Sequence, residues 1–290
     1  LPLAAPFIAD AKVDSVADVK KIMAKIEANL AHNSGLKTGI ESALLDILGQ
    51  AKKQPIYKLL GGQAKPFVVL QKTFSFEETR RDLAPIIKSA LKQGVKIFKF
   101  KVGGEEAREI KALQKICKQF PGINIVLDAN QAWLEPAGAL KFLWALKNVK
   151  IKWLEQPLAA KDYDGLAALR RQTKTPIMAD ESCHNLHDLK LLREKKAIDL
   201  VNIKLAKCGG LLAAQAMIKY CQQNKIGCML GDMLHSGVGT AYNLHAACLG
   251  NFISYDLTLH ARLKADKTRG LKWDGFKVFI PAQPGLGVKL

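Results

Sequence analysis

Three acidic residues close three successive apolar runs that are typical of β-strands: Asp128, Glu155 and Asp180. The carboxyl ends of parallel strands meet at one edge of a sheet or barrel, so we expect these side chains to converge. Three converging anions repel one another unless a cation neutralises them. Oxygen-only ligation favours Mg2+ over Zn2+. A helix N-cap explains one such residue readily, but three in a row favour a magnesium site.

Lysines at strand ends are candidates for proton transfer. Lys99 and Lys101 stand two apart on one predicted strand, so both side chains point to the same face. Lys204 ends a later strand, on the opposite side of the ring of strands predicted below. A lysine buried beside other positive charges releases its proton more readily and can act as a base. Two such lysines on either side of a metal-bound carboxylate could exchange a proton, while the metal stabilises the enediolate formed in between.

The elements that must position these residues alternate from about residue 66 onward. Apolar runs without strict alternation, each followed by a helix-length segment, indicate parallel strands buried on both faces. Eight such runs fit a barrel better than an open sheet. The predicted strands are Phe67–Leu70, Val95–Lys101, Ile123–Asp128, Ile151–Glu155, Ile177–Asp180, Leu200–Lys204, Cys228–Leu230 and Phe252–Asp256.

The two ends of the chain are expected to lie outside the barrel. Residues 1–62 have the pattern of helices only and finish at the glycine pair Gly61-Gly62. The tail from Gly270 carries a strand-like segment, Lys277–Ile280, and should pack back on the N-terminal part. The first residues have neither a methionine nor a basic stretch, so we expect no signal peptide and a chain whose true beginning is absent.

The charge of the chain suits an anionic partner. Lys+Arg 44 against Asp+Glu 26 gives a formal net charge of +18, which would fit a nucleic-acid binder. The lysines are scattered over predicted helices rather than grouped with aromatic residues, which favours solvated helix faces. We therefore expect no nucleic-acid partner, and a polyanion-binding protein on an inactive barrel remains the non-enzyme alternative.

Cysteine usage and hydropathy indicate the expected environment. The six cysteines form no CxxC pair, as is typical of reduced thiols in a cytoplasmic protein. No uninterrupted apolar run reaches the roughly 18 residues of a membrane span, so no membrane partner is expected.

The ordered set of motifs resembles the enolase superfamily, within it the muconate-lactonizing-enzyme subgroup, and most closely the dipeptide epimerases. The resemblance runs from about residue 36 to the end. It rests on Ala43–Asp46, Leu59–Gly62, Lys99–Lys101, Asp128–Asn130, Glu155–Pro157, Ala179–Ser182, Asn202–Lys207 with Gly209-Gly210, and Pro284–Gly287.

The resemblance implies a fold with three parts. Residues 66–260 would form a TIM-like (β/α)7β barrel, an α/β fold. Residues 1–65 would form a shortened α+β N-terminal capping domain, and residues 261–290 would complete it by packing back on it.

The resemblance also implies roles for the charged residues. The three strand-end carboxylates would bind one Mg2+ per subunit. Lys101 and Lys204 would be the acid/base pair, and Lys99 would assist electrostatically at the substrate carboxylate. A small-molecule carboxylate is the implied substrate, and a homo-oligomer is the implied assembly.

Five further residues are candidates for substrate binding. Thr73 falls on the segment Gln71–Phe76, which looks like the first barrel strand of the family. Asp256 and Thr258 fall where dipeptide epimerases carry an Asp-x-Asp that holds an ammonium group, with Thr258 replacing the second aspartate. His235 stands where a glutamate is usual, with a structural hydrogen bond as the alternative. Asp232 should face the barrel mouth or serve as an N-cap.

These expectations favour a Mg2+-dependent racemase or epimerase that acts through an enediolate, with an Ala-Glu-like dipeptide as the best single substrate. o-Succinylbenzoate synthase, N-acylamino acid racemase and muconate cycloisomerase remain open alternatives, because they share the carboxylate-stabilising chemistry.

Overall fold

The structure is a computed structural model that describes residues 4–257 and 263–290. Thr258, one of the substrate-binding candidates, lies outside the described residues. The helices are α1 (Ala5–Ile8), α2 (Val16–Asn29), α3 (Ser34–Lys52), α4 (Ile56–Leu59), α5 (Ala84–Lys92), α6 (Glu106–Gln119), α7 (Pro136–Ala145), α8 (Tyr163–Gln172), α9 (Leu186–Glu194), α10 (Leu205–Cys208), α11 (Leu211–Asn224) and α12 (Gly237–Ala246), with a 3-10 turn at Glu78–Arg80.

The strands form two sheets. They are β1 (Phe67–Val69), β2 (Lys72–Phe74), β3 (Ile97–Lys101), β4 (Asn124–Asp128), β5 (Ile151–Glu155), β6 (Ile177–Ala179), β7 (Leu200–Ile203), β8 (Gly227–Gly231), β9 (Ser254–Asp256), β10 (Trp273–Asp274) and β11 (Lys277–Phe279). The larger sheet has eight strands in sequence order, β2 to β9. Its pairs from β2 through β7 are parallel. The predicted α/β barrel is confirmed as a nearly closed parallel barrel.

One predicted barrel strand was wrong. The run Phe67–Leu70 does not begin the barrel: its first residues form β1, which joins β10 and β11 in a separate three-stranded sheet. The first barrel strand is β2, which lies in the segment Gln71–Phe76 that the family resemblance indicated. The apolar pattern alone could not show which of these two segments begins the barrel, because a short apolar run does not indicate which strand it pairs with.

The described chain divides into two compact units. One contains the described residues of 1–68, 203–225 and 230–290, and the other contains residues 69–202 and 226–229. The boundaries predicted from the sequence, 1–65, 66–260 and 261–290, stay a prediction.

The second unit has an apolar interior with polar strand ends. A buried cluster inside its strands consists of Val126, Trp153, Met178 and Met229, with Ile97 and Leu200 packed against it. Because side chains alternate along a strand, the residue two positions later points to the same face. On four strands, and directly after a fifth, these later residues are charged or polar: Lys99, Asp128, Glu155, Asn202 and, after β6, Asp180. The apolar cluster is therefore the floor beneath the candidate site.

In the first unit the C-terminal segment contacts the N-terminal helices. The Ile56 amide donates to the Gly285 carbonyl at 3.1 Å, and the Gly285 amide donates to the Gln54 carbonyl at 3.0 Å. The Leu286 amide donates to Oδ1 of Asp46 at 2.7 Å. The all-helical pattern of residues 1–62 is confirmed by α1 to α4 among the described residues.

Two features of the described residues concern the state of the cysteines and the hydropathy of the helices. All six cysteines are free thiols. In the part of the chain that the structure describes, we find no helix with the length and hydropathy needed to cross a membrane. The cellular compartment stays a prediction.

We predict that Gly285→Ala destabilises the protein far more than Gly94→Ala. Both glycines have positive φ angles, +66° and +83°, but a Cβ on Gly285 would lie 1.9 Å from Oδ1 of Asp46, whereas nothing lies within 4 Å of one on Gly94. Backbone strain should cost about 1 to 2 kcal/mol in each variant, and the clash should add ~1 to 3 kcal/mol at Gly285. Urea unfolding measures the free energy of unfolding of both variants. Equal losses would contradict the close contact between Gly285 and Asp46.

Candidate active site

Strand register brings the candidate residues of the second unit together. Lys101 is the register partner of Asp128, and Asp128 is the register partner of Glu155. Glu155 in turn pairs with Met178, and Asp180 follows two residues later on the same face. Parallel pairing of β3, β4, β5 and β6 thus places the two lysines of β3 and the three carboxylates at the carboxyl ends of neighbouring strands.

Lys99 joins two of these carboxylates deep in the site. Its Nζ lies 3.0 Å from Oδ2 of Asp128 and 2.9 Å from Oε2 of Glu155. The Lys99 side chain is only 3% exposed, and the two carboxylates are 1% and 0% exposed. A buried ion pair is stable only when the charges compensate each other closely, as they do in this cluster.

Lys101 lies nearer to solvent than Lys99. Its Nζ donates to Oδ2 of Asp128 at 2.6 Å and also to Oδ1 of Asn130, and its side chain is 27% exposed. Asn130 in turn donates from Nδ2 to Oε1 of Glu181 at 3.1 Å. Lys101 is therefore held at one end by Asp128 and remains accessible to a small molecule.

The electrostatics of the site keep Asp128 ionised. Burial alone would raise the pKa of Asp128, but the ammonium groups of Lys99 and Lys101 together lower it below its ordinary value. Asp180 opposes the lysines by like-charge repulsion. That repulsion indicates that Asp180 lies within Coulomb range of Asp128, so the third predicted carboxylate belongs to the same charge cluster.

Asn202 is a contact that the sequence analysis did not assign. Its Nδ2 donates to Oε1 of Glu155 at 2.8 Å, and both residues are fully buried. Asn202 stands two residues before Lys204, so strand alternation was a usable signal: both point to the same side of β7 and its extension.

Gln156 fixes the loop that carries Asp180. Its Oε1 accepts hydrogen bonds from the amides of Asp180 at 2.9 Å and Ser182 at 3.0 Å. Its Nε2 donates to Oγ of Ser182 at 2.7 Å. The backbone of Gln156 has a φ of +38°, a region that non-glycine residues rarely adopt. The surrounding hydrogen bonds hold this strained turn beside the carboxylates.

Thr73 lies next to the charge cluster. It is the register partner of Lys99 on the neighbouring strand, so the two side chains share a face. Its Oγ1 accepts a hydrogen bond from Nε2 of Gln71 at 3.3 Å. The structure therefore places this substrate-binding candidate in the second unit beside the buried lysine.

The remaining candidates belong to the first unit. Lys204 directly follows β7, has an extended backbone with φ −126° and ψ 123°, and is the N-cap of α10. Asp256 is the last residue of β9 and is partly buried. Asp232 is 6% exposed and follows β8, and the N-cap of the next helix is Ser236 rather than Asp232. The N-cap alternative for Asp232 is therefore wrong.

His235 makes a local hydrogen-bond network. Its Nε2 accepts from Nδ2 of Asn243 at 3.0 Å, and its Nδ1 lies 3.1 Å from the carbonyl of Ser236, which requires a proton on Nδ1. Oδ2 of Asp232 lies 3.8 Å from Nε2. These contacts suit the structural hydrogen-bonding role that was weighed for this histidine.

The donor chemistry of the three carboxylates suits a hard divalent cation. They supply only oxygen atoms, they are buried, and Asp128 is held in its ionised form. Within residues 4–257 and 263–290, however, no three His, Cys, Asp or Glu side chains lie close enough to hold a metal ion as they stand. Lys99 lies between Asp128 and Glu155 in this arrangement. The magnesium site thus stays a prediction with matching chemistry.

Comparison with known proteins decides the family. A family model for enolase C-terminal domain-like proteins matches residues 82–290. The chain belongs to the enolase superfamily. Among solved structures, this enolase-superfamily chain is similar to the muconate lactonizing enzyme of Pseudomonas putida, with a TM-score of 0.91 and 28% identity over 99% of this chain and 80% of that one.

Two curated relatives of this superfamily member are a racemase and an epimerase, which are both isomerases. The N-succinyl-L-Arg/Lys racemase of Bacillus cereus is 31% identical over 88% of this chain and 69% of its own length. The L-Ala-D/L-Glu epimerase of Clostridium acetobutylicum is 32% identical over 94% of this chain and 77% of its own length. The enolase-superfamily chain is thereby assigned to the isomerases.

We predict that Lys99→Met destabilises the protein by about 3 to 5 kcal/mol, because it leaves two buried carboxylates without their ammonium partner. Lys72→Met is the matched control: Lys72 lies on the adjacent strand and pairs with Glu78 at 3.3 Å, where both side chains are partly exposed. Its loss should stay below about 1 kcal/mol. Urea unfolding measures the free energy of unfolding of both variants. Equal losses would contradict the prediction that the buried Lys99 ion pairs stabilise the fold more than the exposed pair of Lys72.

Proposed function

We propose that the protein is a Mg2+-dependent racemase or epimerase that removes and returns the proton next to a substrate carboxylate. The observation that carries the proposal is the contrast between the two lysines of β3. Lys99 is buried between carboxylates, whereas Lys101 is held by Asp128 and remains 27% exposed. One lysine is thus placed to balance charge and the other to meet a substrate.

Lys101 would act as one of the two acid/base groups. Its Nζ would release a proton to solvent and, as the neutral amine, take the α-proton of the substrate. Asn130 accepts a hydrogen bond from the same Nζ, and this contact restricts the orientation of the lysine. Fixed orientation is worth orders of magnitude in rate when the reacting atoms are held in line.

Lys204 would serve the other face of the α-carbon. It extends the backbone of β7 two residues after Asn202, so its side chain points to the same side of the strand as Asn202. In a racemase the two lysines exchange roles, because the product of one direction is the substrate of the other. This pairing rests on the family motif and on the position of Lys204 at a strand end.

Asp128, Glu155 and Asp180 would hold the metal. A bound Mg2+ would stabilise the negative charge that develops on the substrate carboxylate when the α-proton leaves and the enediolate forms. Asn202 donates to the Glu155 carboxylate, and Gln156 accepts from the Asp180 amide, so protein contacts hold the Glu155 side chain and the Asp180 backbone in place. The +18 net charge favours approach of an anionic substrate.

The substrate class that we propose is a dipeptide with an Ala-Glu-like composition. Support comes from the similarity to the L-Ala-D/L-Glu epimerase of Clostridium acetobutylicum. The N-succinyl-L-Arg/Lys racemase of Bacillus cereus is comparably similar, which makes an N-succinylated amino acid the second candidate.

Deuterium exchange in D2O tests the reaction. With Mg2+ present, L-Ala-L-Glu and L-Ala-D-Glu should each gain one deuterium at the Glu α-carbon. Lys101→Ala should abolish exchange from one stereoisomer and Lys204→Ala from the other, with losses of roughly 10² to 10⁴-fold for a missing acid/base group. Lys96→Ala, an exposed lysine just before β3, should leave both rates unchanged.

The same assay separates the alternatives. Exchange from N-succinyl-arginine alone would replace the dipeptide as the substrate class. No metal-dependent exchange from any of these α-carboxylates would contradict the racemase proposal and favour a synthase or cycloisomerase.

Metal binding has its own readout. Mg2+ should raise the thermal unfolding midpoint, because a ligand present at 100 times its Kd stabilises the folded state by about 2.7 kcal/mol. Asp128→Asn, Glu155→Gln and Asp180→Asn should each reduce the rise. Asp164→Asn is the control, since this exposed carboxylate pairs with Lys195 at 2.7 Å. A full rise in all three site variants would contradict the proposed ligands.

A further inference from the structure

A segment follows each of the two proposed acid/base lysines, and its backbone amides donate hydrogen bonds to a buried glutamate of a helix. Glu109 of α6 holds the turn after Lys101. Glu41 of α3 holds the segment after Lys204, which consists of α10, Gly209-Gly210 and the first residues of α11 and is called the loop after Lys204 below. We infer that Glu109 and Glu41 are positioning residues, one for each proposed base. This inference rests on the proposed function and adds residues that the strand-end motifs do not include.

The carboxylate of Glu109 accepts hydrogen bonds from three consecutive backbone amides. Oε2 accepts from Gly103 at 2.8 Å, and Oε1 accepts from Gly104 at 3.0 Å and Glu105 at 2.7 Å. Glu109 is 2% exposed, so these bonds are shielded from water. The Val102 amide donates to the Asp128 carbonyl at 3.0 Å, and the whole turn after Lys101 is therefore hydrogen-bonded.

Glu41 has the same relation to the loop after Lys204. Its Oε1 accepts from the Leu212 amide at 3.2 Å and from the Tyr242 hydroxyl at 2.5 Å. The Tyr242 oxygen accepts in turn from the Leu211 amide at 3.2 Å. Glu41 and Tyr242 are both buried. The end of the loop, where α11 begins, is thus fixed to α3.

A second contact from α3 holds the start of this loop. Oγ1 of Thr38 donates to the carbonyl of Leu205, the residue directly after Lys204, at 2.9 Å. The same carbonyl accepts from the amides of Gly209 at 2.9 Å and Gly210 at 3.1 Å. Thr38 and Glu41 lie three residues apart and so share one face of α3. One helix face therefore holds both ends of the loop after Lys204.

Positioning of this kind should affect one direction of the reaction more than the other. A displacement of about 1 Å at a reacting group can lower the rate roughly 10²-fold. If Glu109 acts through Lys101, its loss should slow exchange from the stereoisomer that Lys101 serves and spare the other. Loss of Glu41 should give the opposite pattern.

The atoms that accept the hydrogen bonds predict a graded series. Leu at either position removes all the acceptors. Gln at position 109 keeps one oxygen and loses the other, so Glu109→Gln should lie between the wild type and Glu109→Leu. The Leu212 amide and the Tyr242 hydroxyl both donate to one oxygen of Glu41. Glu41→Gln keeps that oxygen, so this variant should lie closer to the wild type than Glu41→Leu.

The experiment measures deuterium exchange from L-Ala-L-Glu and L-Ala-D-Glu for all four variants, with Lys101→Ala and Lys204→Ala as references. Glu109→Leu should lower exchange by about 10- to 100-fold only from the isomer that Lys101→Ala affects. Glu41→Leu should do so only from the isomer that Lys204→Ala affects. Equal losses from both isomers would overturn the positioning role.

Two controls remove the contribution of general destabilisation. Glu106→Gln alters a carboxylate of the same helix as Glu109 that accepts from Nε1 of Trp133 at 2.7 Å. Asp46→Asn alters a carboxylate of the same helix as Glu41 that accepts from the Leu286 amide at 2.7 Å. These two hydrogen bonds end on Trp133 and Leu286, outside both lysine loops, so both variants should leave the ratio of the two exchange rates unchanged.

Amide hydrogen exchange followed by mass spectrometry tests the loops without any substrate. Glu109→Leu should speed exchange in residues 102–105 and leave residues 205–212 as they are, and Glu41→Leu should do the reverse. Unchanged protection in both segments would overturn the inference. If the two lysine references show no isomer selectivity while the loops respond as expected, the proposed function fails and the hydrogen-bonding role of the glutamates stands.

Discussion

Three buried carboxylates at neighbouring strand ends are the constraint on which the site depends. Each would cost several kcal/mol to bury alone. The chain offsets this cost with Lys99, whose ammonium contacts Asp128 and Glu155 directly, and with Lys101 on Asp128. These contacts need two lysines on the same face of β3 and carboxylates in register at the ends of β4 and β5. The charge pairing of the site and the strand pairing of the sheet therefore depend on each other.

The barrel supplies what this charge cluster requires. Below it, the inward-facing residues are apolar and exclude water, so the charges interact in a medium of low polarity. Around it, amides and side chains fix the loops: Gln156 holds the Asp180 turn and Glu109 holds the turn after Lys101. Burying these charges costs free energy, but the ion pairs and hydrogen bonds that compensate them also hold the side chains in fixed positions. Proton transfer is fast when the reacting groups are held in this way.

Sequence patterns predicted much of this because strand ends and period-two alternation are local properties. Asp128, Glu155, Lys99 and Lys101 follow from them, and the register confirms that they lie together. The pattern failed at Phe67–Leu70, because pairing with β11 is decided by residues about 200 positions away. Contacts such as Asn202 with Glu155 needed the register between strands, which no single strand contains. The roles of Thr258 and of the metal stay predictions.

A double-mutant cycle on Lys99 and Glu155 tests the central claim most directly, because it isolates the interaction between the buried ammonium and the buried carboxylate. Lys99→Met, Glu155→Gln and the double variant are compared by urea unfolding without divalent metal. The glutamine keeps an oxygen for the hydrogen bond from Asn202. The account predicts that the double variant is more stable than Lys99→Met alone, since the uncompensated charge is gone. A double variant that loses the sum of the two single effects would contradict it.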